Sequence, residues 1–187
     1  MTIDEIFSEI VSHMIEGLMV HSQMTDYFGF LGLKGYQKCH KYHYLEESLN
    51  YKKIGKYFLE HFDKIPIEKS IPNPQIVPSA WYQHTRQDVS NETKKDSIQA
   101  GIIKWVNWEK GTKKLYERLY KELCSIGEQA AAAELEKYII DVDNELAEAT
   151  QLHIELSTID YDLSDIVMEQ ETILKKYCKK IKEIELC

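Results

Sequence analysis

Proline is scarce in this sequence and is confined to one segment. The chain has 187 residues and only four prolines, all of which lie between positions 66 and 78. Because proline lacks a backbone N–H and clashes with the preceding helical turn, no helix is expected through so dense a group. The segment therefore separates a first half from a second half that each carry helical patterns.

Paired cysteines and an excess of basic residues are also missing. The four cysteines lie far apart with no C-x-x-C pair, which favours reduced thiols over a disulfide framework or a zinc knuckle. The chain has 23 Lys and Arg against 31 Asp and Glu, and its net charge is -8. A negative net charge of this size repels phosphate backbones and anionic membranes, so no nucleic-acid partner is expected.

No apolar run approaches the length of a membrane span, and the first residues carry acids where a secretory signal needs bases. We therefore expect a cytoplasmic protein without a membrane partner. Hydrophobic residues make up 43% of the chain and charged residues 29%, which is typical of a globular protein. The length fits one domain, covering residues 1–187.

Apolar residues recur at spacings of three and four over most of the chain, the pattern of amphipathic helices. The pattern predicts five helices, at residues 3–30, 36–62, 94–125, 128–158 and 163–185. The fifth is shorter and more charged, and we expect it to pack across one end of the other helices or to mediate self-association.

The connections between these helices differ in length. Short turns join the first helix to the second and the third to the fourth, whereas residues 63–93 link the second helix to the third. A link of about thirty residues is far longer than usual, and it can run the length of a bundle. The third helix would then start beside the start of the second.

A short pattern occurs twice, as HYLEESLN from His43 and as KYIIDVDN from Lys137. Both copies have Tyr in the second place, an acid in the fifth and Asn in the eighth. Residues three apart share one helical face. Each copy therefore places an acid and an Asn on one face, namely Glu47 with Asn50 and Asp141 with Asn144.

Each predicted hairpin also carries an earlier acid at a similar interval. Glu16 precedes Glu47 by nearly the same number of residues as Glu109 precedes Asp141. The two hairpins thus share the order acid, then acid-x-x-Asn. Several carboxylates facing one another in a core need a counter-charge, so they would bind a cation or share protons if buried.

This chain resembles the ferritin-like superfamily through its first four helices, with the fifth as an addition. WEKGTKKLYERLYKEL is similar to the ferritin helix in which a metal-binding Glu is followed by Lys, which puts Glu109 at the ligand position. LEESLNYKKIGKYFLEHF is similar to the family's E-x-x-H helix, with Glu47 at the Glu and Asn50 at the His. Glu16 is assigned mainly by the internal repeat.

The resemblance implies an all-α, ferritin-like four-helix bundle with a long crossover, a homo-oligomer, and a dimetal carboxylate site for iron oxidation or storage. The site would comprise Glu16, Glu47, Asn50, Glu109, Asp141 and Asn144. Asn stands where the family has His, which argues against ferroxidase activity. An all-oxygen set is better matched to manganese, magnesium or calcium than to iron.

Other readings stay open at this point. The acids could lie on solvated helix faces, in which case the chain is a non-enzymatic interaction or assembly protein that kept the bundle. A displaced metal site could use His43 with Glu47, and a set of His13, His21 and Asp26 resembles mini-ferritins less well. Trp81 and Tyr82 are expected to pin the crossover onto the bundle.

Overall fold

A computed structural model describes residues 1–69 and 89–185 of the chain. Within those ranges the chain forms five helices and no strand, and none of the helices is long and apolar enough to cross a membrane. The helices are α1 (Ile3–Phe30), α2 (Lys34–Phe62), α3 (Asn91–Ser125), α4 (Gln129–Thr158) and α5 (Leu163–Glu185). The all-α prediction is confirmed, while Trp81 and Tyr82 lie outside the described residues.

Side-chain caps and glycine turns set the ends of these helices. The Glu5 N–H donates to the Thr2 side chain at 3.2 Å and the Thr2 N–H donates to Glu5 at 2.8 Å, a capping box that starts α1. Gly32 turns the chain out of α1 with a φ of 81°, which favours glycine. Ser90 caps α3 by accepting from the Thr93 N–H at 3.1 Å, so α3 begins three residues before the predicted 94.

Contacts along the helices give their directions. The rings of Phe7 and Phe58 are 4.4 Å apart at one end and those of Phe28 and Tyr36 are 5.3 Å apart at the other, so α1 and α2 are antiparallel. At the second of these ends the Tyr27 hydroxyl donates to the backbone of Ser97, near the start of α3, at 2.6 Å. Helix α3 therefore runs antiparallel to α1 and parallel to α2.

Helix α4 returns alongside α3. Salt bridges of 2.6 Å between Lys95 and Asp160 and of 2.5 Å between Lys113 and Asp143 show that α3 and α4 are antiparallel. The order of directions is thus up, down, down, up, as in a bundle with one long crossover.

The described start of the crossover, residues 64–69, agrees with this order of helix directions. Lys64 pairs with Asp4 at 2.8 Å, and the Lys69 N–H donates to the Ser12 side chain at 2.7 Å. Residues 64–69 therefore climb back along α1 from its first turn. This direction leads from the end of α2 towards the end of the bundle where α3 begins.

Two apolar clusters fill the bundle, one towards each end. The first contains Phe28, Ile102 and Leu156, and the second contains Ile10, Phe58 and Leu119, all nearly inaccessible to solvent. Between the clusters, each of the four bundle helices interrupts its apolar stripe with polar residues or glycine. The fold thereby leaves a polar layer in the middle of the core.

Helix α5 lies along α2 rather than across the bundle end. The Gly35 N–H donates to the Gln170 side chain at 3.3 Å, and farther along the rings of Tyr42 and Tyr177 are 5.5 Å apart. Tyr177 also donates to Glu148 of α4, so α5 covers the groove between α2 and α4. The expected position across the bundle end differs from this arrangement because Ile166, Tyr177 and Ile181 form one buried stripe along α5.

Candidate metal centre

Three histidines occupy the polar layer between the two apolar clusters. His21 comes from α1, and His40 and His43 lie one turn apart on the facing side of α2. Their exposed fractions are 0%, 1% and 2%, respectively. Imidazole rings buried this completely need partners for their ring nitrogens, so the layer is a candidate for bound ions.

Carboxylates from α3 and α4 complete the layer. Glu109 is 2% exposed and accepts a hydrogen bond of 3.0 Å from the indole N–H of Trp105. The Glu145 side chain is 15% exposed. Glu47 of α2 packs against Gly17 of α1, where a Cβ would lie 3.1 Å from its Oε1 atom. Gly17 thus makes room for the Glu47 carboxylate.

Two groups of side chains converge closely enough to hold an ion each. His21, Glu109 and Glu145 each place one ligand atom within 4.8 Å of the others, and so do His43, Glu46 and Glu145. In the first group, Nε2 of His21 is 3.8 Å from Oε1 of Glu109. In the second, Nδ1 of His43 is 3.2 Å from Glu145 and 3.6 Å from Glu46. Glu145 belongs to both groups.

The buried histidines differ in their pKa values. Burial, with a smaller effect of the His43 charge, lowers the pKa of His21 to about 3. Burial also lowers the pKa of His40 well below its ordinary range. Burial acts on His43 in the same direction, but the Glu145 and Glu46 side chains outweigh it and raise the pKa of His43 well above its ordinary range. The neighbouring carboxylates therefore favour the charged form of His43, whereas burial favours the neutral forms of His21 and His40.

The pKa values of two carboxyl groups in the layer are shifted upwards. Burial and the charge of Glu145 raise the pKa of both Glu47 and Glu109 well above the ordinary range, although Glu47 is only partly shielded from solvent. Several carboxylates share one small volume, and ionising all of them costs free energy. A cation in this layer would offset that cost.

Unsatisfied ring nitrogens provide a direct test of fit for a metal. Nε2 of His21 and both ring nitrogens of His43 have no hydrogen-bond partner among the described residues. The contact of 3.2 Å between His43 and Glu145 has the length of an ion pair but not the direction of a hydrogen bond. Because an unpaired buried nitrogen is costly, and because imidazole and carboxylate are good transition-metal ligands, these residues fit a divalent metal.

The residues singled out in the sequence fall into different environments. Glu47 and Glu109 lie in the layer, and the charge of Glu47 adds to the rise in the pKa of Glu109. Glu16 is partly exposed, with its carboxylate 3.7 Å from Nδ1 of His13. Asn50 is partly buried, and Asp141 and Asn144 are exposed on α4. The geometry thus favours Glu145 over Asp141 as the acid that α4 contributes.

A signal for Glu145 exists in the apolar stripe of α4. The inward positions advance by alternating steps of four and three residues, namely Leu135, Tyr138, Val142, Glu145, Ala149, Leu152 and Leu156. Glu145 is the one charged side chain in this run, whereas Asp141 lies beside it. A charge on an otherwise apolar stripe marks an inward-facing functional group more directly than the repeated octet does.

The sequence pattern does not join the histidines into one site, since it groups His21 with His13 and Asp26 and pairs His43 with Glu47. The structure instead brings His21 next to His40, with their Nδ1 atoms 3.1 Å apart. This contact between α1 and α2 depends on the register of the hairpin, which spacing within one helix does not reveal.

Comparison with known proteins supports the same architecture. No protein-family model and no curated protein matches the chain. Among solved structures, a humanised archaeal ferritin matches with a TM-score of 0.76 and 18% identity over 91% of this chain and 94% of that chain. A closed form of the Archaeoglobus fulgidus ferritin matches with a TM-score of 0.73 and 16% identity over 93% and 96%. The open-pore ferritin of that archaeon matches with a TM-score of 0.72 and 16% identity over 91% and 93%.

Proposed function

The chain has a ferritin-like fold, and we propose that it binds divalent transition-metal ions in the polar layer of its bundle. One observation carries the proposal: two groups of a histidine and two carboxylates meet in the polar layer and share Glu145, while three of their ring nitrogens lack a hydrogen-bond partner among the described residues. Such groups need either protons or a cation. A metal ion would bind the ring nitrogens that lack a hydrogen bond and would also neutralise the crowded carboxylates.

The proposed ligands come from all four bundle helices. His21 and Glu109 would hold one ion and His43 and Glu46 a second, with Glu145 placed to contact both. The donor set contains imidazole, so it differs from the all-oxygen set expected from Asn50 and Asn144. Imidazole with carboxylate suits iron, manganese or zinc better than magnesium or calcium.

Iron is the ion that the ferritin-like fold favours among these. We propose iron oxidation or storage as the role of the site, with ferrous iron as the substrate. The part played by this chain is to hold the ion away from bulk water, between two apolar clusters. Trp105 fixes the orientation of the Glu109 carboxylate by donating to its Oε1 atom.

Thermal unfolding with and without metal tests the proposal. Metal-free protein is melted in the presence of Mn²⁺, Zn²⁺ or, without oxygen, Fe²⁺. A cation that binds only the folded state raises the melting temperature, by roughly 2.7 kcal/mol of added stability when its concentration is a hundred times Kd. Glu145→Gln should abolish this shift, because it removes the carboxylate common to both groups.

Asp141→Asn is the matched control on the same helix. Asp141 is exposed, and so its variant should keep the full metal-induced shift. If instead Asp141→Asn loses the shift and Glu145→Gln keeps it, the repeat-based carboxylate site is correct and the layer site is wrong. If no cation moves the wild-type transition, neither site binds metal.

The second candidate function is that of an assembly protein that has lost metal chemistry. Exposed apolar side chains favour it, among them Ile140 and Ile154 of α4 and the adjacent pair Val167 and Met168 of α5, which are 59% and 74% exposed. Self-association into a homo-oligomer stays a prediction for either function. Light scattering during size-exclusion chromatography measures it, and a monomer at micromolar concentration would contradict it.

A further inference from the structure

His40 belongs to neither group of proposed ligands, yet it contacts one of them directly. Its Nδ1 lies 3.1 Å from Nδ1 of His21, and both rings are almost completely buried. The His40 ring also stacks on Phe28, with centroids 5.2 Å apart and planes at 3°, and meets the edge of Trp105 at 4.8 Å. The fold therefore fixes the orientation of His40 as well as its position.

A hydrogen bond between two Nδ1 atoms needs one N–H and one lone pair. If His40 donated, Nδ1 of His21 would accept, and in a neutral ring its Nε2 would carry the hydrogen. If His21 donates, its Nε2 is left with a lone pair that faces Glu109, 3.8 Å away. Only a nitrogen with a lone pair can bind a metal.

We propose that His40 is a positioning residue that accepts the Nδ1–H of His21 and thereby presents Nε2 of His21 as a metal ligand. This inference rests on the proposed metal site. Metal-binding histidines usually donate their other N–H to an acceptor that fixes the tautomer and the ring, and losing that acceptor typically weakens metal binding 10- to 100-fold. Here a second imidazole takes the place of the usual carboxylate or carbonyl.

Trp105 links the two halves of this arrangement. Its ring edge packs on His40 while its Nε1–H donates to Glu109 at 3.0 Å. The Trp105 indole thus packs against His40, which orients His21. It also orients the Glu109 carboxylate, which faces His21. The first ion position is therefore set by a connected unit of aromatic rings.

Two substitutions of His40 separate its hydrogen bond from its bulk. His40→Phe keeps a flat ring between Phe28 and Trp105 but removes the acceptor, so the affinity for Zn²⁺, measured by isothermal titration, should fall 10- to 100-fold. His40→Asn removes the ring but offers an amide oxygen near the Nδ1 position, so its affinity should stay within about threefold of wild type. His61→Phe, at an exposed position of the same helix, is the control and should bind as wild type does.

A nitrogen NMR spectrum of the metal-free protein reads the tautomer directly. In wild type, His21 should show a protonated Nδ1 and an unprotonated Nε2, and His40→Phe should lose this preference. The inference is overturned if wild-type His21 carries its hydrogen on Nε2, if His40→Phe binds Zn²⁺ as tightly as wild type, or if His40→Asn binds as weakly as His40→Phe. A wild-type protein that binds no metal but shows the expected tautomer would instead overturn the proposed function alone.

Discussion

Nδ1 of His43 lies 3.2 Å from Oε2 of Glu145, and this contact joins α2 of the first hairpin to α4 of the second. The pKa of His43 is raised despite burial because Glu145 stabilises the protonated ring. In the absence of metal, a proton on His43 therefore takes the place of a cation. If the proposed site binds a metal, the metal competes with this proton, so metal affinity should rise with pH.

Replacing Glu109 should stabilise the metal-free protein. Its pKa is raised well above the ordinary 4.5 by burial, so its contribution to stability is present below pH 4.5 and is lost as the pH rises towards the folded-state pKa. Glu109→Gln removes this loss. Urea unfolding at pH 7 should therefore show a higher free energy of unfolding for the metal-free variant than for metal-free wild type.

That gain should shrink as the pH is lowered towards 4.5, since Glu109 is then protonated in the unfolded chain too. The same variant should lose most of the metal-induced rise in melting temperature. A variant less stable than metal-free wild type at pH 7 would show that partners in the folded protein stabilise the ionised Glu109 carboxylate.

His13 should make the fold sensitive to mild acid. Burial lowers its pKa to about 4, whereas the unfolded value is near 6.5, so its contribution to stability is present above pH 6.5 and is lost as the pH falls towards 4. Between pH 7 and pH 5.5 the protonation of His13 in the unfolded chain lowers the free energy of unfolding by about 1 kcal/mol. His13→Gln should reduce the loss of unfolding free energy over that interval by this amount, whereas His61→Gln, at an exposed position, should not.

Gly35 should be essential for the docking of α5. A Cβ at this position would lie 2.5 Å from the backbone oxygen of Gln170, which no side-chain rotation can relieve. Gly35→Ala should therefore lower the melting temperature and increase proteolysis within α5. Gly55→Ala, in the same helix with nothing within 4 Å, should stabilise the protein by roughly 0.5–1 kcal/mol through helix propensity alone. Equal effects of the two substitutions would contradict the close approach.

Removing α5 should expose part of the core. A chain that stops after Asp162 loses Ile166 and Tyr177, which are fully buried, and Ile181, which is 5% exposed. At about 1.5–3 kcal/mol for each large apolar side chain, the truncated protein should lose about 5 kcal/mol of stability. Calorimetry and the binding of a hydrophobic dye would measure this, and unchanged unfolding with no added dye binding would show that α5 is dispensable.

The fold follows from the sequence to a large extent because its signals are local. Apolar spacing and the run of prolines predict helix ends within three residues of those observed, and the largest difference, at the start of α3, traces to the Ser90 cap, which falls before the periodic segment. The length of the link between α2 and α3 was enough to choose parallel directions for them. The path of α5 was not predictable, since it depends on the approach of Gly35 to Gln170.

The proposed site can be predicted from the sequence only in part, because its residues come from both hairpins. Glu47 and Glu109 were identified by family resemblance, and both lie in the polar layer. On α4 the repeated octet pointed to Asp141, yet Glu145 occupies the inward stripe and Asp141 is exposed. A match of residue types at equal spacing does not fix which residue faces inward, because that is decided by the apolar neighbours on the same helix.

Short turns join α1 to α2 and α3 to α4, so each hairpin can form from contacts that are close in sequence. The proposed ligand groups of the polar layer instead join the two hairpins, since His21 of α1, for example, faces Glu109 of α3. We expect Glu109 and Glu145 to stay hydrated until the hairpins dock, so that the cost of removing their water falls on that step. We therefore expect folding to be slow where the carboxylates are ionised, and a metal ion present during docking to speed it.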